Sequence, residues 1–144
     1  MKIKLLTYLQ NPDQTYLNSS VLLKTPHGNP VKTIFILDTG SPTTIIGYAD
    51  ARRLQIPFDG EATNIRLGGR NYWGYNFNRL KMIFKSEDGQ IIEEEMKVIV
   101  LQPTSTRNPN EVYSTPTIIG TDFLKEKGYK LFCDMANNEA YIEK

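Results

Sequence analysis

The chain has 144 residues, enough for one domain with a sizeable core and too few for two full lobes. Its 17 basic and 16 acidic residues nearly cancel, so no field of one sign points to nucleic acid or a membrane surface, and no segment approaches the length of a membrane span. One histidine, His27, and one cysteine, Cys133, cannot build a zinc-type cluster or an internal disulfide, so no metal and no cofactor is expected.

Residues 2–9, KIKLLTYL, alternate loosely as a strand until Asn11-Pro12-Asp13 breaks it. The N-terminal stretch has too few consecutive apolar residues for a signal-peptide core and no small-residue cleavage site, so the chain is expected to stay where it is made; the single cysteine leans this toward the cytoplasm. A second strand over residues 15–24 and a third over 31–37 read as a hairpin around Thr25-Pro26-His27-Gly28-Asn29-Pro30. In that turn His27 faces solvent rather than serving a Ser-His-Asp or Cys-His arrangement. Chemistry in this chain is therefore carboxylate chemistry.

After DTGSP, residues 43–47 read as a short β-branched strand and 48–54 as a short helix ending before Pro57. Two extended stretches, ATNIRL and YWGYNFNRLKMIFK, flank a turn at Gly68-Gly69-Arg70-Asn71. Ser86-Glu87-Asp88-Gly89 turns the chain into a strand over 91–101, whose Glu93-Glu94-Glu95 block reads as solvated. Residues 102–116, rich in Pro, Thr, Ser and Asn, read as a surface loop. A buried strand, Thr117-Ile118-Ile119-Gly120, leads into a short helix that Thr121 is placed to cap, that Asp122 suits at its positive end, and that Gly128 terminates. A hairpin of YKLFCDM and EAYIEK around 136–138 closes the chain. Many short strands with one or two short helices make the class all-β, a barrel or sandwich.

One stretch asks for an explanation. Residues 34–46, IFILDTGSPTTII, run an apolar strand straight into Asp38. A carboxylate beside buried surface is costly unless it is bonded or partly neutralised, so the stretch is a capped turn or an active site. DTG alone is ordinary turn material. Here Ser41 extends it to DTGS, a β-branched strand follows, and about eighty residues later comes IIGTDFL.

DTGSPTTII followed by TIIGTDFL resembles the retropepsin-like aspartic proteases, the single-lobe relatives of pepsin. The resemblance spans residues 16–142 and includes LGGRNYWGY, which lies where that family carries its flap but lacks the glycine-rich tip common in viral relatives. It implies a closed, barrel-like acid-protease (retropepsin) fold over residues 1–144 as a single domain, with 1–14 an N-terminal extension or a dimer strand. It implies an aspartic endopeptidase acting on peptide or protein chains beside apolar residues. The chemistry agrees with the residues: hydrolysis without metal or nucleophile needs one carboxylate to activate water and another to donate a proton. Asp38 supplies one. No second Asp-Thr-Gly or Asp-Ser-Gly exists in the chain, so a two-fold homodimer is expected to bring Asp38 against its own copy.

The resemblance also implies roles around Asp38. Thr39 points its hydroxyl into the dimer interface, Gly40 permits the sharp turn, and Ser41 donates to an Asp38 oxygen and favours its ionised form. Gly69, Arg70, Tyr72 and Trp73 sit on the flap, the two aromatics either closing over substrate or packing as cross-strand pairs. Gly120 and Asp122 are structural; Arg52, Arg53 and Arg70 read as solvated surface. Two other readings stay open: a non-catalytic retropepsin-like module for binding or dimerisation, and a one-chain, glycosidase-like hydrolase pairing Asp38 with Asp122 or Glu111.

Overall fold

Strands of alternating burial, each too narrow to bury its apolar face alone, set the architecture of the computed structural model, which describes residues 1–8, 15–104 and 115–144. In chain order the described elements are β1 (Lys2–Tyr8), β2 (Thr15–Lys24), β3 (Val31–Leu37), β4 (Ile45–Ile46), α1 (Tyr48–Arg53), β5 (Ala62–Leu67), β6 (Arg70–Lys85), β7 (Ile91–Pro103), β8 (Thr117–Ile119), α2 (Thr121–Lys127), β9 (Lys130–Asp134) and β10 (Glu139–Glu143). They hydrogen-bond in the order β5-β6-β7-β4-β8-β3-β2-β1-β10-β9. A further pairing of β2 with β6, Leu22 opposite Ile83 and Lys24 opposite Lys81, closes the middle of that series into a six-stranded barrel. The all-β, closed-barrel expectation is met.

The barrel is filled by the inward positions of these strands. Phe35, Phe84 and Phe123 are fully buried, with Phe84 edge-on to Phe35 at 5.8 Å between ring centroids and tilted against Phe123 at 5.7 Å. Each such side chain contributes roughly 1.5–3 kcal/mol by leaving water. In β1, Ile3, Leu5 and Thr7 point inward while Lys2, Lys4, Leu6 and Tyr8 point out. β1 pairs first with β10, Lys2 opposite Glu143, and then with β2, Leu6 opposite Asn18, through a register shift between Leu6 and Tyr8. The buried Asn18 amide fills that irregularity by donating to the carbonyls of Tyr8 at 2.8 Å and Tyr16 at 3.0 Å.

Several boundaries differ from the sequence expectation. β4 is two residues long, Ile45–Ile46, because Thr43 and Thr44 are used in side-chain and backbone bonds to other segments rather than in a ladder. The β5–β6 turn narrows to Gly68 and Gly69, whose φ values of 59° and 77° are the left-handed pair that a two-residue hairpin needs. β7 runs on to Pro103 by pairing with β6 up to Tyr72 opposite Pro103, and residues 105–114 of the expected loop lie outside the described residues. Thr121 is the first residue of α2 rather than its cap: the cap position is Gly120, with no side-chain bond. Gly128 ends α2 as expected, at φ 76°. Glu94 is not a solvated charge; it accepts from the Tyr129 hydroxyl at 3.1 Å and from Lys144 at 2.8 Å. His27 is exposed in its turn.

Candidate active site

β3 ends at Leu37 and hands the chain to Asp38, whose backbone N–H donates to the Ile119 carbonyl at 3.1 Å and so carries the parallel β3–β8 pairing one step further. The turn that follows is wound around the carboxylate. Gly40 N–H donates to Asp38 Oδ1 at 2.8 Å, and Ser41 N–H to the Asp38 carbonyl at 3.0 Å. A Cβ at Gly40 would lie 3.1 Å from that same Oδ1, so a side chain there would press on the carboxylate it helps to orient. Asp38 is half-buried, while Thr39 and Gly40 are exposed.

Ser41 does not take the role expected of it. Its buried hydroxyl donates to the Thr43 carbonyl at 2.7 Å, turning back into its own loop rather than toward Asp38. Asp38 is oriented by backbone instead.

The second motif is fastened to the first. Thr44, fully buried, donates through its backbone N–H to Asp122 Oδ2 at 2.9 Å and through its hydroxyl to Asp122 Oδ1 at 2.7 Å. The same hydroxyl accepts from Gly120 N–H at 3.1 Å, and Thr121 N–H donates to the Ser41 carbonyl at 2.9 Å. At Gly120 the two segments approach so closely that a Cβ would meet the carbonyls of Ser41 and Thr43 at 2.7 Å. Asp122 also accepts from Phe123 N–H at 2.8 Å. Both Asp122 oxygens are thus engaged in holding the two loops together; Glu111, the other partner considered for Asp38 in the one-chain hydrolase reading, lies outside the described residues.

A buried carboxylate that the sequence reading passed over lies behind this loop. Asp50 on α1 accepts from the hydroxyls of Thr33 at 2.8 Å and Thr117 at 2.6 Å, and pairs with Arg53 at 2.5 Å. Thr117 in turn accepts from Gly47 N–H at 3.1 Å. The network ties α1, β3 and β8 together just before each motif begins. It also gives Arg53, which is exposed as expected, an ion-pair partner.

The β5–β6 hairpin carries the expected flap residues, and strand alternation sorts them. Gly69 and Arg70 are exposed at its tip. Trp73 is exposed, whereas Tyr72 is buried among Ile45, Leu101 and Ile118, with Ile65, Leu67 and Ile99 packed around them. The Tyr72 hydroxyl bonds to Thr115 Oγ1 at 2.8 Å, and the Thr104 hydroxyl to the Asn71 carbonyl at 3.0 Å. Tyr72 is thus a packed, hydrogen-bonded anchor; of the two aromatics only Trp73 is presented outward. This small cluster lies on the opposite face of β4 and β8 from the barrel core, since Ile46 and Ile119 point into the core and Ile45 and Ile118 away from it. Ile118 stands beside Ile36, whose alternation Asp38 continues, so the apolar cluster and Asp38 share a face.

The fold has a counterpart among solved structures. A retropepsin-like aspartic protease from Rickettsia conorii superposes over 99% of this chain and 89% of its own, with a TM-score of 0.61 and 17% sequence identity. The fold is retropepsin-like. EIAV protease complexed with the inhibitor HBY-793 also aligns, over 87% of this chain and 100% of its own, at a TM-score of 0.48 and 22% identity. No protein-family model and no curated protein matches the sequence. The retropepsin-like fold agrees with the sequence resemblance.

Proposed function

We propose that the chain is an aspartic endopeptidase, active as a homodimer, in which Asp38 of each subunit forms half of the catalytic pair. The observation that carries this reading is the contrast between the two motif carboxylates. Asp38 is held by a turn built around it on the face beside the apolar cluster, while Asp122 has both oxygens engaged. On this reading the second reacting carboxyl comes from a second copy, across a two-fold axis that repeats the same turn.

In that pair two carboxyls a few ångströms apart share one proton, for which aspartic proteases are the standing example. The ionised carboxylate takes a proton from water as the water oxygen bonds to the peptide carbonyl carbon. The protonated partner gives its proton to the carbonyl oxygen, and the tetrahedral intermediate forms. On collapse the C–N bond breaks, the nitrogen receives a proton from the pair, and the acid product and amine leave with the shared proton restored. Gly40 N–H keeps the carboxylate in place through these transfers. The apolar cluster beside Asp38 fits a preference for apolar side chains next to the cleaved bond.

The test is cleavage of an unfolded protein at acid pH as a function of enzyme concentration. Activity per subunit is expected to fall on dilution with the dimer population, and Asp38→Asn to abolish it without unfolding the protein. Constant activity per subunit down to a concentration where only monomer sediments would remove the shared-site reading. A stable dimer with no cleavage, and no thermal shift with pepstatin for either wild type or Asp38→Asn, would favour the non-catalytic module.

A further inference from the structure

β2 changes partner along its length. It pairs with β1 as far as Leu6 opposite Asn18 and with β6 from Leu22 opposite Ile83 onward, so between Asn18 and Leu22 that side of the strand has no ladder partner among the described residues. The neighbouring strands part there and leave a notch of about 580 Å³ in the barrel wall. β1 lines it with Lys4 and Leu6, β2 with Ser19 and Ser20, β3 with Ile34, and the end of β6 with Lys85. A second hollow of about 250 Å³ shares Ser20 and Lys85 with the notch and carries the groove on to Leu22, Lys32, Ile83 and Ile91.

The groove has an apolar floor and a basic rim. Ile91 at 63% and Ile34 at 54% are the two most exposed large apolar side chains among the described residues, and Leu6 and Leu22 are exposed beside them. Apolar side chains gathered in one depression and rimmed by polar groups mark an interaction surface. At the rim three lysines, Lys4, Lys32 and Lys85, face one acid, Glu87, among the described lining residues, in a chain whose 17 basic and 16 acidic residues nearly cancel. None of the three has an ion-pair partner among the described residues, whereas nearby Lys81 pairs with Glu93 at 3.3 Å. The exposed floor is aliphatic and offers no ring on which a nucleic-acid base could stack. An open stretch of strand edge beside apolar hollows suits an extended chain, which bonds along the edge and sets its side chains in the hollows.

β3 joins this groove to the DTGS turn. Ile34, Ile36 and Asp38 alternate on one face while Phe35 and Leu37 are buried on the other. The four residues from Ile34 to Asp38 span about 13 Å of extended strand.

We propose that the groove docks an extended segment of a partner protein in which carboxylate side chains alternate with large apolar ones. The apolar side chains fill the two hollows, and the carboxylates meet the ammonium groups of Lys4, Lys32 and Lys85 at the rim. The partner is the substrate, an assignment that rests on the protease reading above: the groove holds the protein to be cleaved on the flank of the barrel, on the face that leads to Asp38.

Docking is measured by fluorescence anisotropy with a labelled, end-blocked peptide of alternating leucine and glutamate, on the full chain carrying Asp38→Asn so that the probe stays intact. At about pH 6, where glutamate is ionised, saturable binding is expected. Lys85→Glu and Ile34→Ser are each expected to raise Kd about tenfold or more, and Lys125→Glu, an equal change of net charge at an exposed residue of α2, to leave it unchanged. Lys4→Glu with Lys85→Glu is expected to exchange the preference for a peptide of alternating leucine and lysine. All the substituted groove side chains are exposed, and circular dichroism checks that each variant is folded. No saturable binding below about 1 mM, equal binding of the two peptides by wild type, or equal losses from Lys85→Glu and Lys125→Glu would overturn the proposal. So would binding to phosphatidylserine vesicles that Lys85→Glu and Ile34→Ser abolish, which assigns the groove to a lipid surface, or a dimer dissociation constant that the same variants raise, which assigns it to a second copy. The substrate assignment is read with wild-type enzyme and one unfolded protein, with and without an appended leucine–glutamate segment. The segment is expected to lower KM about tenfold at unchanged kcat, and Lys85→Glu to remove that advantage. An unchanged KM alongside intact peptide binding would show that the docked partner is not the substrate. If neither form of the protein is cleaved, the protease reading fails, while the anisotropy result still decides the groove.

Discussion

Thr44 and Asp122, 78 residues apart in sequence, are joined twice, by the backbone N–H and the hydroxyl of the threonine to the two oxygens of one carboxylate. Thr44 is fully buried, so its donors have no water to fall back on. Asp122→Ala strands both and is expected to cost about 2–4 kcal/mol, measured by urea unfolding, since each orphaned buried group costs roughly 1–3 kcal/mol. Asp122→Asn retains one acceptor but turns an amide toward a donor, and is expected to fall between alanine and wild type. A loss under about 0.5 kcal/mol for Asp122→Ala would mean that the two motifs hold together without this brace.

Ser41 separates sequence expectation from structure in a measurable way. Because its hydroxyl donates to the Thr43 carbonyl and not to Asp38, Ser41→Ala is expected to leave the acidic limb of the pH–rate profile in place. The loss should appear instead as about 1 kcal/mol of stability, from a part-buried carbonyl left without its donor. A displaced acidic limb at unchanged stability would restore the direct contact with Asp38.

Tyr72 and Trp73 are adjacent on β6 and are predicted to fail differently. Tyr72→Ala empties the cluster of Ile45, Leu101 and Ile118 and is expected to cost about 3–5 kcal/mol, with Tyr72→Phe losing only the bond to Thr115, about 1 kcal/mol. Trp73→Ala removes a side chain that is 41% exposed and is expected to change stability by less than about 1 kcal/mol while raising KM, if the outward face of the hairpin meets substrate. Equal stability losses for Tyr72→Ala and Trp73→Ala would contradict the alternation that distinguishes them.

The barrel was legible in the sequence because period-two burial and turn chemistry agree along most of it: β2, β3 and β5 occupy the residues their patterns mark, and Gly68-Gly69 turns where two glycines should. The position of Asp38 at the end of an apolar strand was legible for the same reason. What one dimension could not carry were partners distant in sequence. Thr44 looks like an ordinary β-branched strand residue until Asp122 is brought beside it, and Asp50 looks like a surface acid of a short helix until Thr33 and Thr117 close over it. Glu94 was misread because a run of three glutamates suggests solvent, whereas the burial of the middle one depends on Tyr129 and Lys144 from the other end of the chain. The Ser41 hydroxyl was misassigned because two acceptors, Asp38 and Thr43, lie within three residues of it in sequence and only the turn geometry chooses between them.

Glu94 leads to the last prediction. Tyr129 is buried, its ring is stacked on Phe123 at 5.2 Å, and its hydroxyl donates to Glu94. Burial first, and then the negative charge and hydrogen bond of Glu94, push the phenol well above its ordinary value of 10.0. In the unfolded chain nothing holds it up, so the unfolded state releases this proton first as pH rises. The stability contributed by the protonated phenol is therefore complete below about pH 10 and is lost as pH climbs from there toward the folded-state value. Tyr129→Phe cannot release that proton. At neutral pH it is expected to be less stable than wild type by about 1 kcal/mol, because Glu94 loses a donor. Thermal unfolding followed from about pH 8 to about pH 11.5 should show the two melting curves converging, with wild type losing stability more steeply above about pH 10. A constant gap between the two proteins across that range would show that Tyr129 is not held in its protonated form by the fold.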